Sequence, residues 1–279
     1  MSRLTELSWG DIRLFIPGVV NRTTGKSMGE HMEMTAREWD IARSVQDQIA
    51  LDSHRRAVAA WGRGFFDDLV IPIGDVRRDT IPRRDTSLDQ LSRLTPSFDR
   101  VSGRGTLTAG NSSPLTDGAA SVWVASEAGL ARLPATLPRA RLIDWEIAAV
   151  DFSQEGLLMA PAFAIPRLLA RHRLTYADID LWEIHEAFAA QVEAHILALE
   201  SPEFLRRKAG VEAAFGRFPR ERVNPNGGSV ALGHPFGATG ARILSQTVKE
   251  LSTLASGSRA IVSICADGGQ GSVALLEAA

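Results

Sequence analysis

From residue 140 onwards, short apolar runs alternate with segments of helical pattern, and this alternation constrains the fold more than any other feature. The runs RLIDWEIAAV and IDLWEIHEAF predict strands, the second leading into a helix through about Leu199, and APAFAIPRLLARHRL between them predicts a helix. The last run, RAIVSICADGGQGSVALLEA, is broken by a Gly-Gly pair that predicts a tight turn between two antiparallel strands. Alternating strands and helices favour an α/β layered fold that ends in an antiparallel hairpin.

The first half of the chain has a different pattern. Residues 28–62 look helical, with a possible capping box formed by Ser44 and Asp47. Residues 75–104 are rich in Arg, Asp, Ser and Pro and predict an extended surface segment, whose arginine pairs are either a solvated face or partners for an anionic phosphate. AASVWVAS, residues 119–126, predicts a further strand, followed by a short helix at EAGLARL.

Composition excludes several classes of protein. The 279 residues are 44% hydrophobic with a net charge of −2, which predicts a large core and no general attraction to nucleic acid or membranes. The one cysteine, Cys265, excludes an internal disulfide and any multi-cysteine metal site, and fits a reducing compartment. The first 20 residues resemble neither a signal peptide nor a membrane span, so we expect a cytoplasmic protein with no membrane insertion.

Glycines crowd around one histidine in NPNGGSVALGHPFGATGAR. Pro235 suits the first position of a helix, which would place His234 at a helix N-terminus. Gly227, Gly228 and Gly233 allow the backbone to approach a ligand closely. The absence of a Lys-Ser or Lys-Thr pair after the glycines argues against a nucleotide loop. The alternative is structural: the glycines make turns and the histidine only caps the helix.

Two further residues stand at the ends of predicted elements. His185 lies at the strand-to-helix junction WEIHEAFAAQ, the edge where open α/β folds bind ligands. Cys265 closes the apolar strand before ADGGQG. Alone, a cysteine in an apolar strand is usually a buried small hydrophobe, and a single histidine is usually a satisfied structural group. Together with His234 they favour a functional site.

Three of these segments resemble the C-terminal signature motifs of the thiolase family. NPNGGSVALGHPFGATGAR is similar to the family's Gly-Gly…Gly-His-Pro motif, HEAFAAQ to its Asn/His-Glu-Ala-Phe motif, and CADGGQG to its Cys-x-Gly-Gly-Gly-x-Gly motif. AGNSSPLTDGAASV and SMGEHMEMTA resemble parts of its loop domain. The histidine of HEAF, with LLMAPAFAIP, resembles the trifunctional-enzyme β-subunit branch.

The resemblance implies thiolysis of a 3-ketoacyl-CoA, or the reverse Claisen condensation, in fatty-acid β-oxidation. It implies that His234 activates a nucleophilic cysteine, that Cys265 is the general acid/base at the α-carbon, and that His185 stabilises the enolate oxygen. Other residues match positions that contact substrate: Ser113 at the pantetheine arm, and Met159 and Phe188 in the pocket. Coenzyme A would be a substrate, with no permanently bound cofactor and no metal.

The resemblance also implies an incomplete thiolase-like layered fold. We expect a loop domain that contacts CoA over residues 1–117, a remnant of the N-terminal half over 118–138 and a C-terminal domain over 139–279. The family's acylated cysteine has no counterpart, because Cys265 is the one cysteine, and the family's first half would precede Met1. A second departure is Asp267, whose carboxylate would oppose a developing oxyanion unless it turns to solvent.

Three hypotheses remain open. The chain is part of a working thiolase, or a catalytically incomplete relative that binds CoA or a partner subunit, or a structural protein. Partners implied by the resemblance are acyl-CoA and CoA, a second copy in a homodimer, a hydratase/dehydrogenase α subunit, or a chain that supplies the N-terminal half.

Overall fold

The computed structural model describes residues 20–279 of the chain. Residues 1–19 lie outside the described part, and with them almost all of the segment predicted to be neither signal peptide nor membrane span. Within residues 20–279, no helix combines the length and apolar character needed to cross a bilayer.

Ten α-helices, four strands and two short 3-10 helices (Tyr176–Asp178 and Arg220–Arg222) make up the regular structure of the described residues. The helices are α1 (Met28–Glu38), α2 (Arg43–Gly62), α3 (Leu88–Ser92), α4 (Glu127–Leu130), α5 (Phe152–Glu155), α6 (Ala160–His172), α7 (Ala189–Glu200), α8 (Pro202–Arg207), α9 (Ser229–Leu232) and α10 (Thr239–Leu251). The strands are β1 (Ala140–Ala149), β2 (Leu181–Ile184), β3 (Arg259–Ala266) and β4 (Gln270–Ala278).

The four strands form one mixed sheet in the order β1-β4-β3-β2. Strand β2 runs parallel to β3, whereas β3–β4 and β1–β4 are antiparallel. Alternate residues of β3 enter different cores: Ile261 and Cys265 pack with α6, and Ala260 and Val262 pack with α10. Helices therefore pack on both faces of the sheet at β3, whereas the edge strand β1 leaves Trp145 and Ile147 60% and 66% exposed. The predicted α/β layered fold and its final antiparallel hairpin are confirmed.

The helical pattern over 28–62 is two helices rather than one. The chain turns between them at Asp40, whose backbone has a positive φ of 49°. The capping box lies at the start of α1, where Ser27 and Glu30 cap each other's backbone N–H groups. The predicted box at Ser44 is wrong, because Ser44 lies inside α2, which begins one residue earlier without a side-chain cap.

The predicted strand over residues 119–126 is also wrong. These residues have no regular structure, and Trp123 and Val124 are 81% and 87% exposed. An apolar run becomes a strand only where a neighbour pairs with its backbone, and no described strand lies beside this one. The short helix predicted after it is present as α4. The segment 75–104 is largely exposed and irregular apart from α3, in agreement with the prediction.

Candidate active site

Several separate parts of the chain line a cavity of about 910 Å³. They include the segment around Ser113, the junction between β2 and α7, the residues that precede α10, the hairpin of β3 and β4, and the start of α1. Five of the six residues singled out from the sequence line this cavity: Ser113, His185, Phe188, His234 and Cys265. The fold thus brings together residues that are up to 152 positions apart. Histidines that only cap helices, or a cysteine that only fills the core, would not need to meet in one cavity.

His185 follows directly after β2. Its backbone N–H donates to the carbonyl oxygen of Ser263 on β3 at 2.9 Å, which extends the parallel pairing by one residue. The side chain is 2% exposed. Its Nδ1 lies 2.9 Å from Oγ of Ser229, and its Nε2 has no partner among the described protein atoms. Nε2 is therefore the ring nitrogen that no described protein atom engages.

Glu186 anchors the turn that carries His185. Its buried carboxyl accepts hydrogen bonds from the Ser53 hydroxyl at 2.7 Å, the Asn224 amide at 2.7 Å and the Val230 backbone N–H at 3.2 Å. Burial raises the pKa of this carboxyl, and these three hydrogen bonds oppose the rise. Helix α2, the Asn224 loop and α9 are thereby fixed to the junction that positions His185.

His234 lies in the turn that precedes α10. Its backbone N–H donates to the carbonyl oxygen of Pro114 at 3.0 Å. The prediction that Pro235 opens the helix is wrong, since α10 begins at Thr239. The Pro235 carbonyl instead accepts the N–H groups of Ala238 and Thr239, at 2.9 and 3.0 Å, in a turn before the helix. Nδ1 of His234 lies 2.7 Å from the Thr239 hydroxyl, so a side chain of the first helical residue orients the ring.

The two histidine rings face each other. Their centroids are 4.2 Å apart and their planes meet at 45°. Burial, followed by the positive charge of Arg242, lowers the pKa of His234 to about 4. Burial, then the neighbouring His234 and then Arg242 lower the pKa of His185 well below its usual value. Both rings are therefore neutral at pH 7, and each carries one ring proton.

Cys265 lies near the end of β3, paired with Gly271 of β4. It is 7% exposed, and burial raises the pKa of its thiol to about 12. Gly268 and Gly269 have positive φ values of 80° and 73°, which allow the hairpin to turn tightly beside the thiol. At neutral pH this residue is a thiol, which can donate a proton as it stands but needs activation to accept one.

The predicted substrate-contact residues occupy two different places. Ser113 is half-buried and its backbone N–H donates to the carbonyl oxygen of Ala187 at 3.0 Å, beside the His185 turn. Phe188 packs edge to face on Phe98 with ring centroids 5.7 Å apart. Met159 is 1% exposed and packs in the main core, and its neighbour Leu158 lines the cavity instead. Contact between Met159 and a substrate stays a prediction.

Asp267 lies at the hairpin turn on the cavity wall. It is exposed, and its Oδ1 accepts hydrogen bonds from the Asn21 amide at 3.1 Å and from the Gly268 backbone N–H at 2.8 Å. Solvent and two donors therefore screen the charge that would oppose an oxyanion. The arginine pairs Arg77–Arg78 and Arg83–Arg84 are exposed, and none of them lines the cavity.

Sequence reasoning missed several residues that shape the site. Phe236 is 53% exposed, lines the cavity, and has its ring 4.8 Å from that of His234. Gln191 accepts the Ala187 N–H at 3.0 Å and donates to His195, whose Nε2 donates to the Leu158 carbonyl at 2.7 Å. The His-Pro-Phe order and the Gln three residues after Phe188 were visible in the quoted motifs, but nothing in the spacing marked them.

Two family models together match most of the sequence. The model for "Thiolase, N-terminal domain" matches residues 11–128, and the model for "Thiolase, C-terminal domain" matches residues 136–278. The cavity takes residues from both matched parts, with Ser113 in the first and the histidines and the cysteine in the second.

Individual relatives and solved structures agree. A 3-ketoacyl-CoA thiolase of Pectobacterium carotovorum is 41% identical over 280 residues, covering 98% of this chain and 63% of that protein. An acetyl-CoA acetyltransferase of Bacillus anthracis superposes with a TM-score of 0.77 at 32% identity, covering 96% of this chain and 66% of the other. A thiolase from Ascaris suum in complex with coenzyme A superposes with a TM-score of 0.74 at 29% identity, covering 98% and 66%. The chain spans 63% of the length of the relatives that it matches. From the matched family models and these relatives, the chain belongs to the thiolase family.

Proposed function

We propose that this chain provides the acid/base and CoA-binding part of a thiolase site that cleaves 3-ketoacyl-CoA into acetyl-CoA and a shortened acyl-CoA. The observation that carries the proposal is the convergence of His185, His234 and Cys265 on one cavity of about 910 Å³. The relatives described as 3-ketoacyl-CoA thiolases support the substrate class. The Ascaris suum structure, solved with coenzyme A, supports CoA as a substrate.

The protonation states of His185 and Cys265 suit the cleavage reaction. A cysteine thiolate attacks the 3-keto carbon, and the C2–C3 bond then breaks with its electron pair delocalised into an acetyl-CoA enolate. An N–H of His185 stabilises the enolate oxygen. The Cys265 thiol, with its pKa of about 12, gives its proton to C2 and becomes a thiolate. The proton of the incoming CoA thiol restores it as CoA takes the acyl group.

In this proposal His234 accepts the proton of the thiol that attacks the substrate. Its ring is neutral at pH 7 because its pKa is about 4, so it has a lone pair that can accept a thiol proton. The sulfur that becomes acylated is not among these 279 residues, since Cys265 is the one cysteine and acts as the acid. We therefore assign the acylation step to a cysteine supplied from outside this sequence.

The finer assignments follow the same proposal. We place the reaction in fatty-acid β-oxidation in the cytoplasm, in the branch that resembles trifunctional-enzyme β subunits, because His185 stands where that branch has histidine. We propose a homodimer, a hydratase/dehydrogenase α subunit as a partner, and the division into a loop domain (1–117), a remnant of the N-terminal half (118–138) and a C-terminal domain (139–279). Met159, with Ser113 and Phe188, belongs to the proposed substrate contacts.

Cleavage of acetoacetyl-CoA tests the proposal. The chain would be assayed alone and together with a thiolase N-terminal segment that carries the nucleophilic cysteine. We expect binding of CoA in both samples, and cleavage only in the second, where it depends on His234 and Cys265. Binding without cleavage in both samples would favour the catalytically incomplete relative. A stable acyl group on Cys265 in the first sample would contradict its role as acid.

A further inference from the structure

A chain of two hydrogen bonds leads from α10 to His185. A guanidinium N–H of Arg242 donates to Oγ of Ser229 at 3.0 Å, and the same oxygen lies 2.9 Å from Nδ1 of His185. Ser229 is fully buried at the start of α9, and Arg242 is half-buried one turn into α10. Neither residue contacts the substrate in the proposed reaction.

One placement of the protons satisfies both hydrogen bonds, from Arg242 to Ser229 and between Ser229 and His185. A guanidinium only donates, so Ser229 accepts from Arg242. The Ser229 hydroxyl proton has no other acceptor among residues 20–279, and it therefore points to Nδ1 of His185. In the reverse arrangement His185 would donate to Ser229, and a buried hydroxyl proton would be left without a partner, which is unfavourable.

We propose that Ser229, oriented by Arg242, is a positioning residue that holds His185 in the tautomer with its proton on Nε2. The ring then presents an N–H, rather than a lone pair, to the cavity. The unpartnered Nε2 of His185 is where such a donor would meet a developing oxyanion. The use of this N–H in catalysis rests on the proposed function, whereas the tautomer itself does not.

His234 shows the opposite arrangement. Its Nδ1 lies 2.7 Å from the Thr239 hydroxyl, which in turn lies 3.1 Å from the Pro235 carbonyl oxygen. A carbonyl only accepts, so both contacts are hydrogen bonds only if Thr239 donates to Pro235 and His234 donates from Nδ1. Nε2 of His234 then carries the lone pair. Two facing rings are thus assigned different tasks, one as donor and one as acceptor, by two different hydroxyl groups.

The tautomer can be measured directly in the 279-residue protein. We would label its six histidines with ¹⁵N and record long-range ¹H–¹⁵N correlations, in which protonated and unprotonated ring nitrogens are well separated. Comparison with His185→Gln identifies the signals of His185. The wild type is expected to show protonated Nε2 and unprotonated Nδ1 for His185. A dominant Nδ1–H signal would overturn the proposal without any variant.

Ser229→Ala then tests the cause. Loss of the donor is expected to shift His185 from one tautomer to a mixture, seen as averaged nitrogen shifts. Ser263→Ala is the matched control, because Ser263 is also a buried serine beside His185, but its hydroxyl has no partner. The control should keep the wild-type pattern. An unchanged Nε2–H in Ser229→Ala would remove Ser229 from the role.

A second variant covers the case in which Ser229→Ala does not fold. Arg242→Met removes the donor that holds the Ser229 hydroxyl in place, so that the hydroxyl can rotate away from Nδ1 of His185, and a mixture of tautomers is again expected. A wild-type pattern in this variant would overturn the part assigned to Arg242. Because these spectra need neither substrate nor turnover, failure of the acetoacetyl-CoA assay with an intact Nε2–H pattern would count against the proposed function alone.

Discussion

His185 and His234 pack with their ring centroids 4.2 Å apart, and their hydrogen-bond partners assign the ring protons to opposite nitrogens. Two cations could not share this space, and the low pKa values of both rings keep them neutral. A neutral donor beside a neutral acceptor suits a reaction in which an oxyanion forms on one side and a thiol loses its proton on the other.

Glu186→Ala should destabilise the protein strongly. The change leaves the buried donors on Ser53, Asn224 and Val230 without their acceptor, and we expect a loss of about 3 kcal/mol or more in the free energy of unfolding. Urea unfolding measures it. Glu146→Ala is the control, because Glu146 makes an ion pair with the half-exposed Arg171 and should cost under about 1 kcal/mol. Equal effects of the two changes would contradict the anchoring role of Glu186.

Gly228→Ala should disturb the same anchor from the other side. A Cβ at Gly228 would lie 2.2 Å from Cδ of Glu186, so the buried carboxyl would have to move. We expect a cost of about 1–3 kcal/mol, as for other overpacked sites. At Gly62, the last residue of α2, an added Cβ meets nothing within 4 Å, and Gly62→Ala should stay within about 1 kcal/mol of the wild type. Thermal unfolding of the two variants separates these outcomes.

Phe236→Ala should weaken the binding of an acyl-CoA without affecting the fold. The ring is 53% exposed at the cavity wall, so its loss removes apolar contact with a ligand and little with the protein. A loss of about 1 kcal/mol, or roughly fivefold in Kd for octanoyl-CoA, is expected by calorimetry. Leu254→Ala removes another exposed apolar side chain away from the cavity and should leave Kd unchanged. The same Kd in both variants would exclude Phe236 from the acyl site.

Local sequence patterns predicted the class of the fold, and the resemblance to the thiolase family predicted five of the residues that line the cavity. Strand and helix patterns are local, and the glycines around Cys265 and His234 mark turns that few other residues could form. His185, His234 and Cys265 lie near the ends of strands and helices, where the connecting turns of an α/β fold lie close together. These positions favoured a functional site, and the family resemblance implied that the three residues act together.

The errors arose where tertiary contacts decide the structure. Ser44 and Asp47 have the spacing of a capping box, but Asp47 is buried and binds Arg43 and Asn111. AASVWVAS has the composition of a strand, but no described strand pairs with it. The Ser229 hydroxyl lies 44 residues from His185 along the chain, and a hydrogen bond of that kind leaves no periodic signal in the sequence.

Hydrogen exchange at the α-carbon of acetyl-CoA shows whether Cys265 moves a proton to and from that carbon. The protein would be incubated with acetyl-CoA in D₂O, and deuterium in the acetyl methyl group followed by mass spectrometry. We expect exchange above the Cys265→Ala background that rises about tenfold per pH unit from pH 7 to 9, because the thiolate fraction grows at that rate below a pKa of about 12. Equal exchange in the wild type and Cys265→Ala would contradict the account.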